Sequence, residues 1–181
     1  MIYQPAEDSF LMSGILKEQL PELIKKNPNL KFLEIGAGSG IHLETALNSG
    51  IKKENIFSSD IDNASVLHCN FLGFNCIHSD LFEKIQGKFD LIIFNPPYLP
   101  RDKRETKESQ LATTGGKKGN EVIIKFLEQA KNFLEDDGKI FLITSSLAEN
   151  VNFEEFGYDA KEIGCENLFF ERLCIWELKI K

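Results

Sequence analysis

No CxxC pair occurs in this chain of 181 residues: Cys69, Cys76, Cys165 and Cys174 lack the paired spacing of a zinc site. They are expected to be reduced, mostly packed thiols. The three histidines, His42, His68 and His78, lack ligand spacing too and read as ordinary surface or packing residues, so no metal site is expected. No apolar run approaches the roughly 20 residues that span a bilayer. The first thirty residues have no basic start, long apolar middle or small-residue cleavage site, which argues against secretion. Basic charge is scarce, with 21 Lys and Arg against 28 Asp and Glu and a formal net charge of -7. A protein that grips a long stretch of nucleic acid presents a basic face, so that partner is disfavoured. Repeats and low-complexity tracts are absent. These absences leave a soluble cytoplasmic protein with one domain over residues 1–181.

What is present is a core. Hydrophobic residues make up 42% of the chain, and 15 of them are Phe. β-rich runs alternate with helical patterns. Glu7 and Asp8 suit a first helical turn, and Phe10, Leu11, Ile15, Leu16 and Leu20 follow at helical spacing until Pro21 breaks the pattern. Strands are expected at Lys31–Ile35, Asn55–Ser59, Asn75–His78 and Phe89–Phe94, the last apolar without alternation and therefore buried on both faces. Helices are expected at Ile41–Leu47 and from an Asn63 cap to about Asn70. A strong amphipathic helix begins after Asn120, reaches Leu134 and is closed by Asp137-Gly138. Lys139–Ile143 reads as a fifth strand, and Tyr158–Ile163 with Phe169–Ile180 as a final antiparallel pair. Alternation of this kind implies an α/β sheet with right-handed crossovers.

Two turns carry chemistry. Leu33-Glu34-Ile35-Gly36-Ala37-Gly38-Ser39-Gly40 leaves a strand and opens a helix. Glycines let the backbone turn tightly there and admit a ligand, and ligands bind at the carboxyl ends of such strands. The glycine turn alone fits NAD, FAD or S-adenosylmethionine. Asp60, at the end of the second strand, can accept hydrogen bonds from both ribose hydroxyls of an adenosine, with Asp62 second in line. Asp80, at the end of the third, stands where the adenine edge would be read.

Asn95-Pro96-Pro97-Tyr98 directly follows the buried fourth strand. Methyl transfer to a planar NH2 group needs two acceptors for its two N–H bonds, because the nitrogen lone pair is delocalised and must be held in line with the methyl. The Asn95 side-chain oxygen and the Pro96 carbonyl supply them, and both bonds strengthen as charge grows on the nitrogen. The two prolines keep the turn rigid, and Tyr98 offers a flat face for the substrate group.

LEIGAGSG, SSDID and FDLIIFNPPYLP together resemble the S-adenosylmethionine methyltransferases that modify amino groups. Tyr3-Gln4-Pro5-Ala6-Glu7-Asp8-Ser9-Phe10-Leu11 and Gly115-Gly116-Lys117-Lys118-Gly119-Asn120-Glu121-Val122-Ile123 are similar to the short eukaryal and archaeal branch of the HemK/PrmC family. That family methylates the glutamine of the GGQ motif in class-1 translation release factors. The resemblance runs from Tyr3 to about Ile143. The chain starts too close to its first strand for the N-terminal helical domain of the larger bacterial members.

The resemblance implies a class I, Rossmann-like methyltransferase fold: a seven-stranded, mostly parallel sheet with its last strand antiparallel. It implies S-adenosylmethionine as cofactor, held by Asp8 and Ser9 over the methionine end, Glu34, Gly36 and Gly38 in the loop, Asp60 at the ribose, Asp80 at the adenine, and Asn95. Asn95, Pro96, Pro97 and Tyr98 are its catalytic turn. Ser9 stands where the family often has Thr, and Ala37 where it has Cys or Ser. An adenine amino-group methyltransferase on DNA or RNA and a protein lysine methyltransferase of the same branch are the alternatives, and a nucleotide-binding module without catalysis is a third. Acidity and the lack of a target-recognition domain disfavour DNA or RNA, since base flipping must be offset by extra contacts.

Two further expectations concern partners. Pro100–Lys118 is polar, carries six basic and three acidic residues, and suits a flap over a protein substrate. The short branch resembles enzymes that need a small zinc-binding activator along the third-strand edge. Phe71, Leu72, Phe74, Cys76 and Ile77 make that edge unusually apolar.

Overall fold

The computed structural model describes residues 4–101 and 113–181. Strands β1 (Phe32–Ile35), β2 (Ile56–Asp60), β3 (Asn75–His78), β4 (Phe89–Phe94), β5 (Leu99–Pro100), β6 (Thr114–Gly116), β7 (Leu134–Ser145), β8 (Tyr158–Asn167) and β9 (Arg172–Ile180) alternate with helices α1 (Glu7–Lys26), α2 (Ile41–Asn48), α3 (Asn63–Phe71) and α4 (Glu121–Ala130). Seven strands form one sheet in the order β3-β2-β1-β4-β7-β9-β8. Within it β9 alone runs opposite to the other six strands. β5 and β6 pair parallel as a separate ribbon.

Apolar runs become buried strands here because helices or packed loops cover both faces. Along β4, Leu91 and Ile93 join the cluster formed with α1, α2 and α3, while Ile92 and Phe94 join the cluster under α4. β7 repeats this, with Phe141 and Ile143 on one face and Ile140 and Leu142 on the other. Phe126 of α4 is fully buried, its ring 4.7 Å from that of Phe94 and 5.4 Å from that of Phe82. Full burial of such a ring contributes roughly 1.5–3 kcal/mol.

Several expectations need correction. α1 passes through Pro21 and ends at Lys26. Pro21 lacks one helical N–H, but Leu20, Leu23 and Ile24 around it pack into the core, and that burial offsets the lost bond. α3 is capped by Asp62, whose carboxylate accepts from the Ala64 N–H at 3.1 Å, rather than by Asn63. α4 stops at Ala130, and a single 3-10 turn leads into β7 at Leu134. Phe133 and Leu134 fit the helical spacing, yet Phe133 stacks on Phe82 at 4.6 Å and Leu134 already pairs with Phe89. Gly138 does not close a helix: it lies inside β7 at an irregularity, where an added Cβ would come within 3.0 Å of the Phe89 carbonyl. Asn120 precedes α4 without a side-chain cap: its amide N–H donates to the Glu149 carbonyl, while its Oδ1, the atom that would cap, is buried without a hydrogen-bond partner.

The cysteines were expected to be thiols throughout. Cys69 and Cys76 are, and both are buried. Cys165 and Cys174 instead form a disulfide, because the antiparallel register of β8 and β9 sets them directly opposite each other.

Candidate active site

The strand order runs outward in opposite directions from the adjacent β1 and β4. Carboxyl ends at such a switch point leave a crevice. A cleft of about 950 Å³ opens there, and every residue expected from the sequence lines it: Asp8, Ser9, Glu34, Gly36, Gly38, Asp60, Asp80, Asn95, Pro96, Pro97 and Tyr98.

The glycine loop is fixed to the neighbouring strand. The Gly36 and Ala37 N–H groups donate to the Ser59 carbonyl at 2.8 and 3.1 Å. Gly36, Gly38 and Gly40 have φ of 72°, 50° and 80°, a region open to glycine without a Cβ penalty. The Asp60 carboxylate closes the loop, accepting from the Gly38 N–H through one oxygen and the Asp62 N–H through the other, both at 2.8 Å. Burial raises the Asp60 carboxyl above its ordinary value, against the lowering effect of these N–H groups. Each oxygen keeps a second lone pair for a ligand hydroxyl.

Asp80 lies exposed on the cleft wall. Leu81 beside it is buried at φ 46°, a strained conformation for a leucine that sequence reading missed. Across the cleft, Pro96 is buried and the Asn95 Oδ1 is buried without a hydrogen-bond partner. The Asp8 carboxylate, 4% exposed, accepts from the Ser9 N–H at 2.6 Å and from the Tyr98 hydroxyl at 3.4 Å. The first turn of α1 is thereby drawn onto the NPPY turn.

The GGKKG segment explains itself by contact. A Cβ on Gly115 would fall 2.6 Å from the Pro97 carbonyl oxygen, and one on Gly119 within a clash of the Tyr98 carbonyl. Only bare backbone fits so closely behind the turn. The Glu121 carboxylate then accepts from the Lys118 N–H at 3.1 Å. Burial pushes the Glu121 carboxyl up, but the N–H groups of Lys118, Glu121, Lys117 and Gly119 together outweigh it and hold the carboxyl below its ordinary value.

Sequence reading also missed His42. It is buried on the cleft wall, with Nδ1 2.6 Å from Glu34 Oε1 and Nε2 3.1 Å from the Ser9 carbonyl. The signal available was its place one residue inside the helix that the glycine turn opens. His78, in contrast, is an exposed residue of β3.

The expected flap falls largely on residues 102–112, outside the described ones. Its two ends pair as β5 and β6, and the Arg101 N–H donates to the Gly116 carbonyl at 2.8 Å. β3 is an edge strand, as expected. The apolar side chains there divide: Phe74 and Cys76 pack inward, while Phe71 is 88% exposed and Leu67, on the same helix, 71%. Among the described residues no helix is long and apolar enough to cross a membrane.

The family model described as Eco57I restriction-modification methylase matches residues 12–156. A provisionally named protein N5-glutamine methyltransferase of Methanocaldococcus jannaschii is 34% identical over 98% of this chain and 92% of its own. The eRF1 methyltransferase catalytic subunit mtq2 of Schizosaccharomyces pombe is 32% identical over 78% of this chain and 71% of its own. The solved Mtq2–Trm112 complex of E. cuniculi, which methylates the eRF1 termination factor, superposes with a TM-score of 0.69 at 22% identity over 99% of both chains. On that shared sequence the chain belongs to the HemK/PrmC family of S-adenosylmethionine-dependent methyltransferases.

Proposed function

We propose that this chain moves the methyl group of S-adenosylmethionine to the side-chain amide nitrogen of the GGQ glutamine in a class-1 release factor, in the cytoplasm. The buried, partnerless Asn95 Oδ1 carries the reading. A buried acceptor left unsatisfied costs about 1–3 kcal/mol, a cost that binding an amide N–H removes.

The donor fits the cleft. Glu34 Oε2 is buried and partnerless, and suits the ammonium of the donor's amino-acid end. Asp60 suits the ribose hydroxyls and Asp80 the adenine side, while Gly36 and Gly38 let the backbone approach. The donor supplies one thing, an electrophilic methyl on a sulfonium.

The chain's own residues do the rest. Asn95 Oδ1 and the Pro96 carbonyl each accept one N–H of the glutamine amide and hold its nitrogen in line with the methyl. Pro96 and Pro97 fix that pair of acceptors. Tyr98 packs against the amide plane. The N–C bond forms as the S–C bond breaks, S-adenosylhomocysteine leaves with the sulfur lone pair, and the nitrogen loses one proton to solvent. Stronger hydrogen bonds to the increasingly positive nitrogen stabilise the transition state more than the ground state.

A small activator, zinc-binding by the family resemblance, fits the Leu67 and Phe71 surface beside β3. Incubation of the chain and activator with labelled S-adenosylmethionine and three acceptors, release factor, duplex DNA and tRNA, tests the reading. Label is expected in the release factor alone. Label confined to either nucleic acid overturns it.

A further inference from the structure

The Glu34–His42 pair does more than fill space. The Ser9 carbonyl can only accept, so His42 Nε2 carries a hydrogen. At 2.6 Å, a proton lies between Nδ1 and Glu34 Oε1. With that proton the pair is net neutral, whichever atom holds it more closely. Burial alone pushes the His42 imidazolium down, but Glu34, the Ser9 carbonyl and Asp8 more than reverse this and keep the shared proton in place above the ordinary histidine range. Asp8 of α1 and Asp60 of β2 are the other charged groups that act on the pair.

Three elements therefore meet at one ring: the end of β1 through Glu34, the start of α2 through His42 itself, and the first turn of α1 through Ser9. One oxygen of Glu34 is fixed, and the other, Oε2, stays buried and partnerless. We propose that His42 is a positioning residue for an α-amino acid group in the cleft: it fixes Glu34 so that Oε2 meets the ammonium, and it ties α1 over that end. This rests on the assignment of S-adenosylmethionine as the donor. Without His42, a carboxylate buried among Asp8 and Asp60 would lose its partner and its orientation.

Two ligands separate this from a packing role. S-adenosylhomocysteine has the amino-acid end, and methylthioadenosine has the adenosine without it. Calorimetry on the chain with its activator is expected to show S-adenosylhomocysteine binding weakened about tenfold or more by His42→Leu, the scale of one lost buried charged hydrogen bond. Methylthioadenosine binding should be unchanged. His42→Asn, whose amide can donate where Nδ1–H does, should recover part of the loss, and it replaces the leucine variant should that one fail to fold. Equal loss for both ligands, or no loss for either, overturns the proposal. If the unaltered chain takes up neither ligand, the donor assignment fails, and this inference with it.

Discussion

The Tyr98 hydroxyl reaches the Asp8 carboxylate at 3.4 Å across 90 positions of sequence, which fastens the first turn of α1 to the NPPY turn. The bond is long, so its removal should cost little. Tyr98→Phe keeps the ring and loses only the donor. The KM for S-adenosylmethionine should rise about two- to tenfold, the range of one ordinary hydrogen bond, with kcat nearly intact. Tyr98→Ala also removes the flat face and should lower kcat/KM for the protein acceptor more steeply. Steady-state kinetics on both variants checks the order.

Asp60 has a larger task. Asp60→Ala removes the acceptor of the Gly38 and Asp62 N–H groups together with the expected ribose contacts. Calorimetry should find S-adenosylhomocysteine affinity reduced about a hundredfold, since two charge-assisted hydrogen bonds are lost. Acidification should mimic this in part. Burial raises the Asp60 carboxyl, so it begins to protonate at a pH above the ordinary aspartate value of about 3.9. Cofactor affinity should fall as pH drops through that raised value. Stability of the ligand-free chain moves the other way there. The folded chain holds a proton that the unfolded chain has released, so this group favours folding as pH falls.

Gly119→Ala should leave the fold in place and impair turnover. A Cβ there meets the Tyr98 carbonyl, behind the NPPY turn, and the residue's φ of 86° adds strain. The turn must shift, and a displacement of about 1 Å at a catalytic group can cost a hundredfold in rate. Label transfer should therefore drop far more than the melting temperature. A rate equal to that of the unaltered chain would mean that the GGKKG segment does not set the turn.

Leu67 and Phe71 touch little of their own chain. Leu67→Ser with Phe71→Ser should change stability by less than about 0.5 kcal/mol, as surface substitutions do. The same pair should raise the solubility of the isolated chain and abolish co-purification with the activator. Undiminished co-purification would place the activator elsewhere.

Much of this architecture was readable from residues because its elements are short apolar runs bounded by turn formers. β3 and β4 begin and end where the sequence puts them, and the position of Asp60, Asp80 and Asn95 on the cleft wall was legible because a strand end is where an α/β sheet binds ligands. What escaped needed the third dimension. Glu34 was expected at the glycine loop, but His42 looks like an ordinary helix residue until the glycine turn brings it within 2.6 Å of Glu34. Leu81 gives no sign of its positive φ. Phe133 and Leu134 fit a helical period but serve Phe82 and β4 instead. The register of β8 and β9, which alone brings Cys165 against Cys174, follows from strand pairing and not from cysteine spacing.

The amide clamp is the centre of the account, and Asn95→Ala tests it most directly. One preparation, with activator, should be assayed for S-adenosylhomocysteine uptake by calorimetry and for methyl transfer to the release-factor glutamine by mass spectrometry. Uptake should persist while turnover falls by about a hundredfold or more, the cost of losing one preorganised hydrogen-bonding group at the reacting centre. Turnover equal to that of the unaltered chain would contradict the clamp.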